Sequence, residues 1–437
     1  MPLYMGITMT TKKALIITYY WPPAGGPGVQ RWLKFVKYLP DFGVEPIVYC
    51  PENPNYPIQD QSLVNEIPES VTILKQRIKE PYALARLFSK GSTTKISSGV
   101  IPKAKKQSLI EKGMLYVRGN FFIPDARKNW ISPSVSFLSD YIKTHHIDTI
   151  ITTGPPHSLH IIGLQLKAAL GLNWVADFRD PWTTIGYHKA LKLTAASKAK
   201  HIDLEHKVLN TADHIIVTST HTKNEFALKT EQPITVITNG YDAHEVKVEQ
   251  KDMLFSLSHI GSLLSERNPT VLWEVLSELI NQQPDFAKDF KLQLIGVVSD
   301  DVLETIYGYG LKDYVDVVGY VSHDEAIKFQ MQSQLLLLIE IDSEDTKAII
   351  PGKLFEYLIS KTPILALGPK DADVAHIIAN TQTGTYFSYD QKQALKAQLL
   401  TYFEAFNANT LKVNAQGLEP YSRKALTEKL SAIIKDC

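Results

Sequence analysis

Residues 351–367 read PGKLFEYLISKTPILAL, and they carry more about the fold than any other stretch. Pro351-Gly352 opens a helix, because proline's fixed φ and missing N–H are tolerated at a helix start. The first-turn N–H groups have no intrahelical partner, and the helix dipole is positive there, so an anion is favoured. Lys353 lies on that first turn and Glu356 one turn further on. A carboxylate can accept two vicinal hydroxyls, as ribose presents them. The segment closes on PILAL, a short apolar run of the kind buried on both faces of a parallel sheet. Phosphate at the helix end and ribose one turn in make this a nucleotide-binding helix in an α/β protein.

The same alternation extends outward. Strand-like runs in the second half are LFSLSHIG (254–261), KLQLIG (291–296), YVDVVG (314–319), QLLLLIEI (334–341) and PILALG (363–368). Helical segments lie at 269–280 and 324–332, the latter opened by a capping box of Ser322 with Glu325. The first half repeats the scheme with ALIIT (14–18), PIVYC (46–50), VTIL (71–74), DTIIT (148–152), WVAD (174–177) and HIIVTS (214–219). Strands alternating with helices predict parallel sheets covered on both faces. The expected organisation is a domain over 1–245, a second over 250–418, and an amphipathic helix within 419–437.

Composition narrows the class. Lys+Arg and Asp+Glu are equal at 46 each in 437 residues, a balance that argues against a dedicated nucleic-acid binder. Two cysteines, Cys50 and Cys437, make neither a disulfide framework nor a cysteine-based zinc site. No run approaches the ~18 apolar residues of a membrane span, and the first residues do not resemble a signal peptide. A cytoplasmic protein is expected. Residues 75–128 break the rhythm with thirteen Lys/Arg against three acids, interspersed with aromatics such as Tyr116, Phe121 and Phe122. Such a stretch is either a solvated surface or a patch that meets anionic lipid.

Several loops follow the strands directly, where open α/β sheets place ligands. The first, WPPAGGPG, brings Gly25 and Gly26 to the start of a helix; it is neither the dinucleotide fingerprint nor a P-loop. TGPPHS brings His157, a base or hydroxyl-binding residue whose plain alternative is to cap the next helix. DFRDPW brings Asp177, Arg179 and Asp180, charges that are costly after a buried strand unless they pair or bind something polar. In the second half, Gly261 ends a strand and Arg267 follows within phosphate reach.

Taken together these segments resemble the bacterial glycosyltransferases of family 4 (group 1). PPAGGPG resembles their N-terminal glycine loop, and ITNGYD (237–242) the element that closes their first domain. TGPPHS and DFRDPW resemble a subset from surface-polysaccharide synthesis. PGKLFEYLISKTPILAL resembles their most specific element. The resemblance implies the GT-B fold: two Rossmann-like domains facing a central cleft, with the C-terminal helix crossing back to the first. It implies a retaining transfer of a sugar from a nucleoside-diphosphate sugar, without a metal or other cofactor. Expected donor-binding residues are Gly25, Gly26, Gly261, Arg267, Gly319, Tyr320, Gly352, Lys353, Leu354 and Glu356. Within that set, Arg267 stands as a diphosphate cation, Glu356 as the ribose ligand, and Gly319-Tyr320 beside the base. Asp180, His157 and Arg179 are expected at the chemistry.

Three departures stand out. Where many members have a histidine in the loop after the fourth-strand region, the equivalent stretch here reads Phe178-Arg179-Asp180. The family's first clamp arginine is Ser262 here, and the first of its paired glutamates is Ala348. Lys353 is expected to replace the lost cation, and Glu344 or Asp345 the lost acid. The acceptor is expected to be a glycan or a lipid-linked saccharide, with peripheral contact to the inner face of the cell membrane and no nucleic acid. A sugar-nucleotide epimerase of the same fold, or a binding subunit without activity, are the rival expectations.

Overall fold

A computed structural model of the chain describes residues 11–80, 109–189, 191–242 and 250–437. The chain divides into two units: Met1–Asn239 with Arg423–Cys437, and Gly240–Ser422.

The first unit holds a seven-stranded sheet in the order β3-β2-β1-β4-β5-β6-β7. Its strands are β1 (Lys12–Ile17), β2 (Val44–Pro51), β3 (Thr72–Gln76), β4 (Thr149–Gly154), β5 (Asn173–Phe178), β6 (His214–Val217) and β7 (Ile234–Val236). The second holds β10-β9-β8-β11-β12-β13, built from β8 (Phe255–Ile260), β9 (Phe290–Ile295), β10 (Val315–Gly319), β11 (Leu335–Ile339), β12 (Ile364–Gly368) and β13 (Gly384–Ser388). Every pairing within the two sheets is parallel. Each apolar run read as a strand forms one. The two strands without such a run are β7 and β13. Each lies at the edge of its sheet, and only Phe387 among their residues is buried.

Side chains alternate across each sheet with the period of two that a strand imposes. In β1, Leu15 and Ile17 face one core while Ala14 and Ile16 face the other. In β11, Leu335, Leu337 and Ile339 pack on one side, Leu336 and Leu338 on the other. Both faces are covered, which is why these runs are continuously apolar. The capping box of Ser322 and Glu325 is present at the start of helix His323–Gln332. Helix Arg423–Asp436 buries Leu426, Leu430, Ile433 and Ile434 in the first unit's core, with Trp32 and Leu33 of helix Pro27–Tyr38.

The basic stretch 75–128 is not one surface. Residues 81–108 lie outside the described ones. Arg127 is buried, with its guanidinium 4.3 Å from the centre of the Tyr19 ring and its Nε 3.2 Å from Glu80 Oε1. Those two charges belong to the core. Among the described residues of the stretch, helix Leu109–Phe121 shows apolar side chains to solvent, with Phe121 62% exposed beside Tyr116 and Val117.

Candidate active site

In the second unit the candidate groups gather where β8 and β11 end. Gly261 follows β8 with φ +116, in the left-handed region that favours glycine, and a Cβ there would lie 2.9 Å from Lys353 Nζ. Lys353 comes from the first turn of helix Gly352–Ile359, which buries Leu354, Phe355 and Leu358 and is tied to β8 by Ile260 N–H donating to Tyr357 Oη at 3.1 Å. Lys353 Nζ is 3.5 Å from His259 Nε2. His259 is fully buried, and its Nδ1 is 3.1 Å from the Leu337 carbonyl. A carbonyl only accepts, so Nδ1 carries the proton and Nε2 faces Lys353 with a lone pair. Burial pushes Lys353 down to about 8, and the charge of Arg267 acts in the same direction.

Arg267 stands on the loop after Gly261. Its Nη2 is 4.0 Å from Glu340 Oε2, and its Nε is buried without a hydrogen-bond partner. Glu340 directly follows β11, is 3% exposed, and is pushed up to about 7 by burial against the pull of Arg267 and Lys353. Glu356 accepts a hydrogen bond from Gln330 Nε2 at 2.9 Å through one oxygen. Gly319 ends β10 at φ +82, and Tyr320 beyond it is 87% exposed.

Two sequence expectations are corrected here. Leu354 turns into the core and its N–H donates to the Pro351 carbonyl at 3.0 Å, so it offers no group to a ligand. Glu344 and Asp345 are exposed, with Glu344 paired to Lys347 at 2.7 Å. The acid beside the two cations is Glu340.

The first unit has its own cluster at the ends of β4 and β5. Asp177 is wholly buried and satisfied within the fold. It accepts from Arg31 Nη2 at 2.9 Å, Trp32 Nε1 at 2.8 Å and Thr153 Oγ1 at 2.8 Å. Together these interactions hold its carboxyl below the usual range despite burial. Arg179 lies against Gly28, where any Cβ would collide with its Nη1. It donates to the Pro155 carbonyl, and its Nε is buried without a partner. Burial raises the Asp180 carboxyl, with Arg179 pulling the other way. Gly26, at φ +101, caps helix Pro27–Tyr38, while Gly25 N–H donates to the Ile58 carbonyl at 3.0 Å.

His157 is 4% exposed and neither ring nitrogen has a hydrogen-bond partner. Its ring stacks on Trp182, centres 4.6 Å apart and planes within 2°. Burial, then the neighbouring His160, drives its pKa well below the ordinary value, so it is neutral. It makes no cap: Asp125 reaches across to accept from Ser158 N–H at 2.8 Å and from Ser158 Oγ at 2.8 Å. His160, His188 and His201 gather around the same aromatic group, and Trp182 Nε1 donates to His201 Nδ1 at 3.1 Å. Among the described residues no group of three or more His, Cys, Asp or Glu is arranged to hold a metal ion. Among the same residues no helix is long and apolar enough to cross a membrane.

Comparison with known proteins bears on both units. Residues 100–245 match the model of Glycosyltransferase Family 4. HepE of Anabaena, solved in complex with UDP, matches with a TM-score of 0.61 at 13% identity, over 98% of this chain and 100% of that one. Residues 100–245 are thus similar to that family, and the chain has the GT-B fold. Sucrose-phosphate synthase of Thermosynechococcus elongatus resembles this chain with a TM-score of 0.59 at 13% identity, over 97% and 98% of the two chains. A putative UDP-N-acetylglucosamine 2-epimerase from Listeria monocytogenes does so at 0.53 and 12%, over 97% and 96%. No curated protein sequence matches this chain.

Sequence reasoning missed Glu340, His259 and the histidines around Trp182. Glu340 had one signal, a lone acid closing a run of apolar residues. The histidines had none, because they come from separate elements.

Proposed function

We propose that the protein is a retaining glycosyltransferase that moves a sugar from a nucleoside-diphosphate sugar to a hydroxyl of a glycan or lipid-linked acceptor. The convergence of Arg267, Lys353 and Glu356 at the strand ends of the second unit carries this proposal. The two cations and the start of helix Gly352–Ile359 take the diphosphate. Glu356 takes the ribose hydroxyls. As the sugar departs, negative charge builds on the nucleoside diphosphate, and preorganised positive charge lowers that barrier. The complex of HepE with UDP supports a nucleotide donor for this chain too.

The first unit supplies the acceptor side. Neutral His157, with neither ring nitrogen partnered within the fold, offers a lone pair that accepts a hydrogen bond from the acceptor hydroxyl. Arg179 and Asp180 orient that hydroxyl. An acceptor carried on lipid fits the exposed Tyr116, Val117 and Phe121, which offer an apolar footing on a cytoplasmic membrane face.

Incubation with a panel of nucleotide sugars tests the proposal. Transfer with retained anomeric configuration is the expected result; release of an epimerised sugar nucleotide instead identifies an epimerase. Phe121→Ser with Val117→Ser is expected to reduce co-sedimentation with anionic vesicles. Equal sedimentation by both forms refutes the membrane footing.

A further inference from the structure

Arg267 and Lys353 are like charges on one site, and the charge of Arg267 adds to burial in making Lys353 harder to protonate. Something must hold them together before any ligand arrives. Glu340 is the carboxylate that feels both charges: 3% exposed, anchored by the end of β11, and 4.0 Å from Arg267 through Oε2. Its backbone is fixed on both sides, by its own N–H donating to the Leu367 carbonyl at 2.8 Å and by its carbonyl accepting from Tyr389 Oη at 2.8 Å. That separation is longer than the roughly 2.7–2.9 Å of a direct charge-assisted hydrogen bond. Arg267 Nε meanwhile stays buried and unpartnered. The cations are held, but not saturated.

We propose that Glu340 is a positioning residue of the donor site: it holds Arg267 and Lys353 together while the site is empty, and yields both to the diphosphate of the incoming nucleotide. This role presupposes the donor site assigned above. It requires Glu340 to change its proton when the diphosphate arrives, because two anions beside the same cations repel.

The neighbours leave few other groups able to do so. Arg267 and Lys353 face Glu340 from the loop after β8 and from helix Gly352–Ile359. His259 lies beside Lys353 and is held neutral by burial. Tyr386 and Tyr389, from β13 and the turn after it, are pushed up by burial and by Glu340, so they stay protonated. Asp342 and Glu356 add negative charge on the β11 and helix sides. Glu340, at about 7, and Lys353, at about 8, are left to take up protons.

Calorimetry of the full chain tests this, with UDP, GDP, ADP, dTDP and inorganic pyrophosphate as probes in buffers of different ionisation heat. The wild type is expected to take up protons on binding near pH ~7.5, and to bind about tenfold more weakly at pH ~8.5 than at pH ~6.5. Glu340→Gln is expected to lose at least about half of that uptake and to flatten the pH profile to about threefold or less. Glu340→Asp, which keeps a carboxylate, is expected to restore the uptake and guards against a folding defect in the glutamine variant. A folded Glu340→Gln protein with wild-type uptake and profile overturns the role, as does wild-type binding without any proton uptake. Failure of every probe, pyrophosphate included, to bind the wild type overturns the donor site itself.

Discussion

Arg31 Nη2 donates to Asp177 Oδ1 at 2.9 Å, and neither side chain is more than 1% exposed. This pair fastens helix Pro27–Tyr38 to the end of β5, and Arg31 reaches on to the Thr238 carbonyl at 2.7 Å. Removing one partner strands the other charge without water. Arg31→Met or Asp177→Asn is therefore expected to cost about 3–5 kcal/mol, read by denaturant unfolding. A loss below about 1 kcal/mol contradicts the structural role given to Asp177.

Arg179 rests directly on Gly28. Gly28→Ala forces the guanidinium aside while the helix itself accepts alanine readily. Transfer is expected to fall about a hundredfold, as for misplaced groups near a reacting centre, with little change in melting temperature. Wild-type turnover by this variant removes Arg179 from the chemistry.

Glu356 has one oxygen satisfied by Gln330, which leaves the rest of the carboxylate for a ligand. Glu356→Ala is expected to weaken nucleoside-diphosphate binding by about 1.5–3 kcal/mol, and to leave pyrophosphate binding nearly unchanged. Calorimetry with both ligands separates ribose contacts from phosphate contacts. Equal losses for the two contradict the ribose assignment.

Acid stability follows from the histidines. His160 is lowered by burial from 6.5 to about 3, and His188 to about 4. Both folded values are depressed, so the folded state binds fewer protons than the unfolded one between them and 6.5. Their stabilising contribution is complete above pH 6.5 and is lost as pH falls through those folded values. The first unit is expected to weaken steeply from about pH 6.5 to about pH 4. His160→Gln should flatten that slope in denaturant unfolding followed by near-UV circular dichroism. An unchanged slope contradicts a neutral buried His160.

Most of the fold was legible because both sheets are covered on both faces, which writes central strands as unbroken apolar runs. Edge strands escape that rule: β7 and β13 are half wet, so ITV and GTYFS look like loop. Lys353, Glu356 and Arg267 were legible because each stands within a few residues of a strand end or helix start. Glu340 was not, since its meaning depends on a loop some seventy residues upstream bringing Arg267 beside it. Asp177 carried an ambiguous signal. A charge after a buried strand reads alike whether it serves a ligand or, as here, an arginine far away in the sequence. The capping role that sequence offers for His157 falls to Asp125, which lies 33 residues upstream of the Ser158 it reaches.

Helix Arg423–Asp436 completes a core whose other members lie before residue 240. On the ribosome, the first-made unit therefore cannot finish until the whole of Gly240–Ser422 has been translated. Until then, the part of helix Pro27–Tyr38 that packs on helix Arg423–Asp436 waits uncovered. Assembly thus runs against the order of synthesis, and a nascent chain stalled before residue 423 leaves a sticky half that invites chaperones.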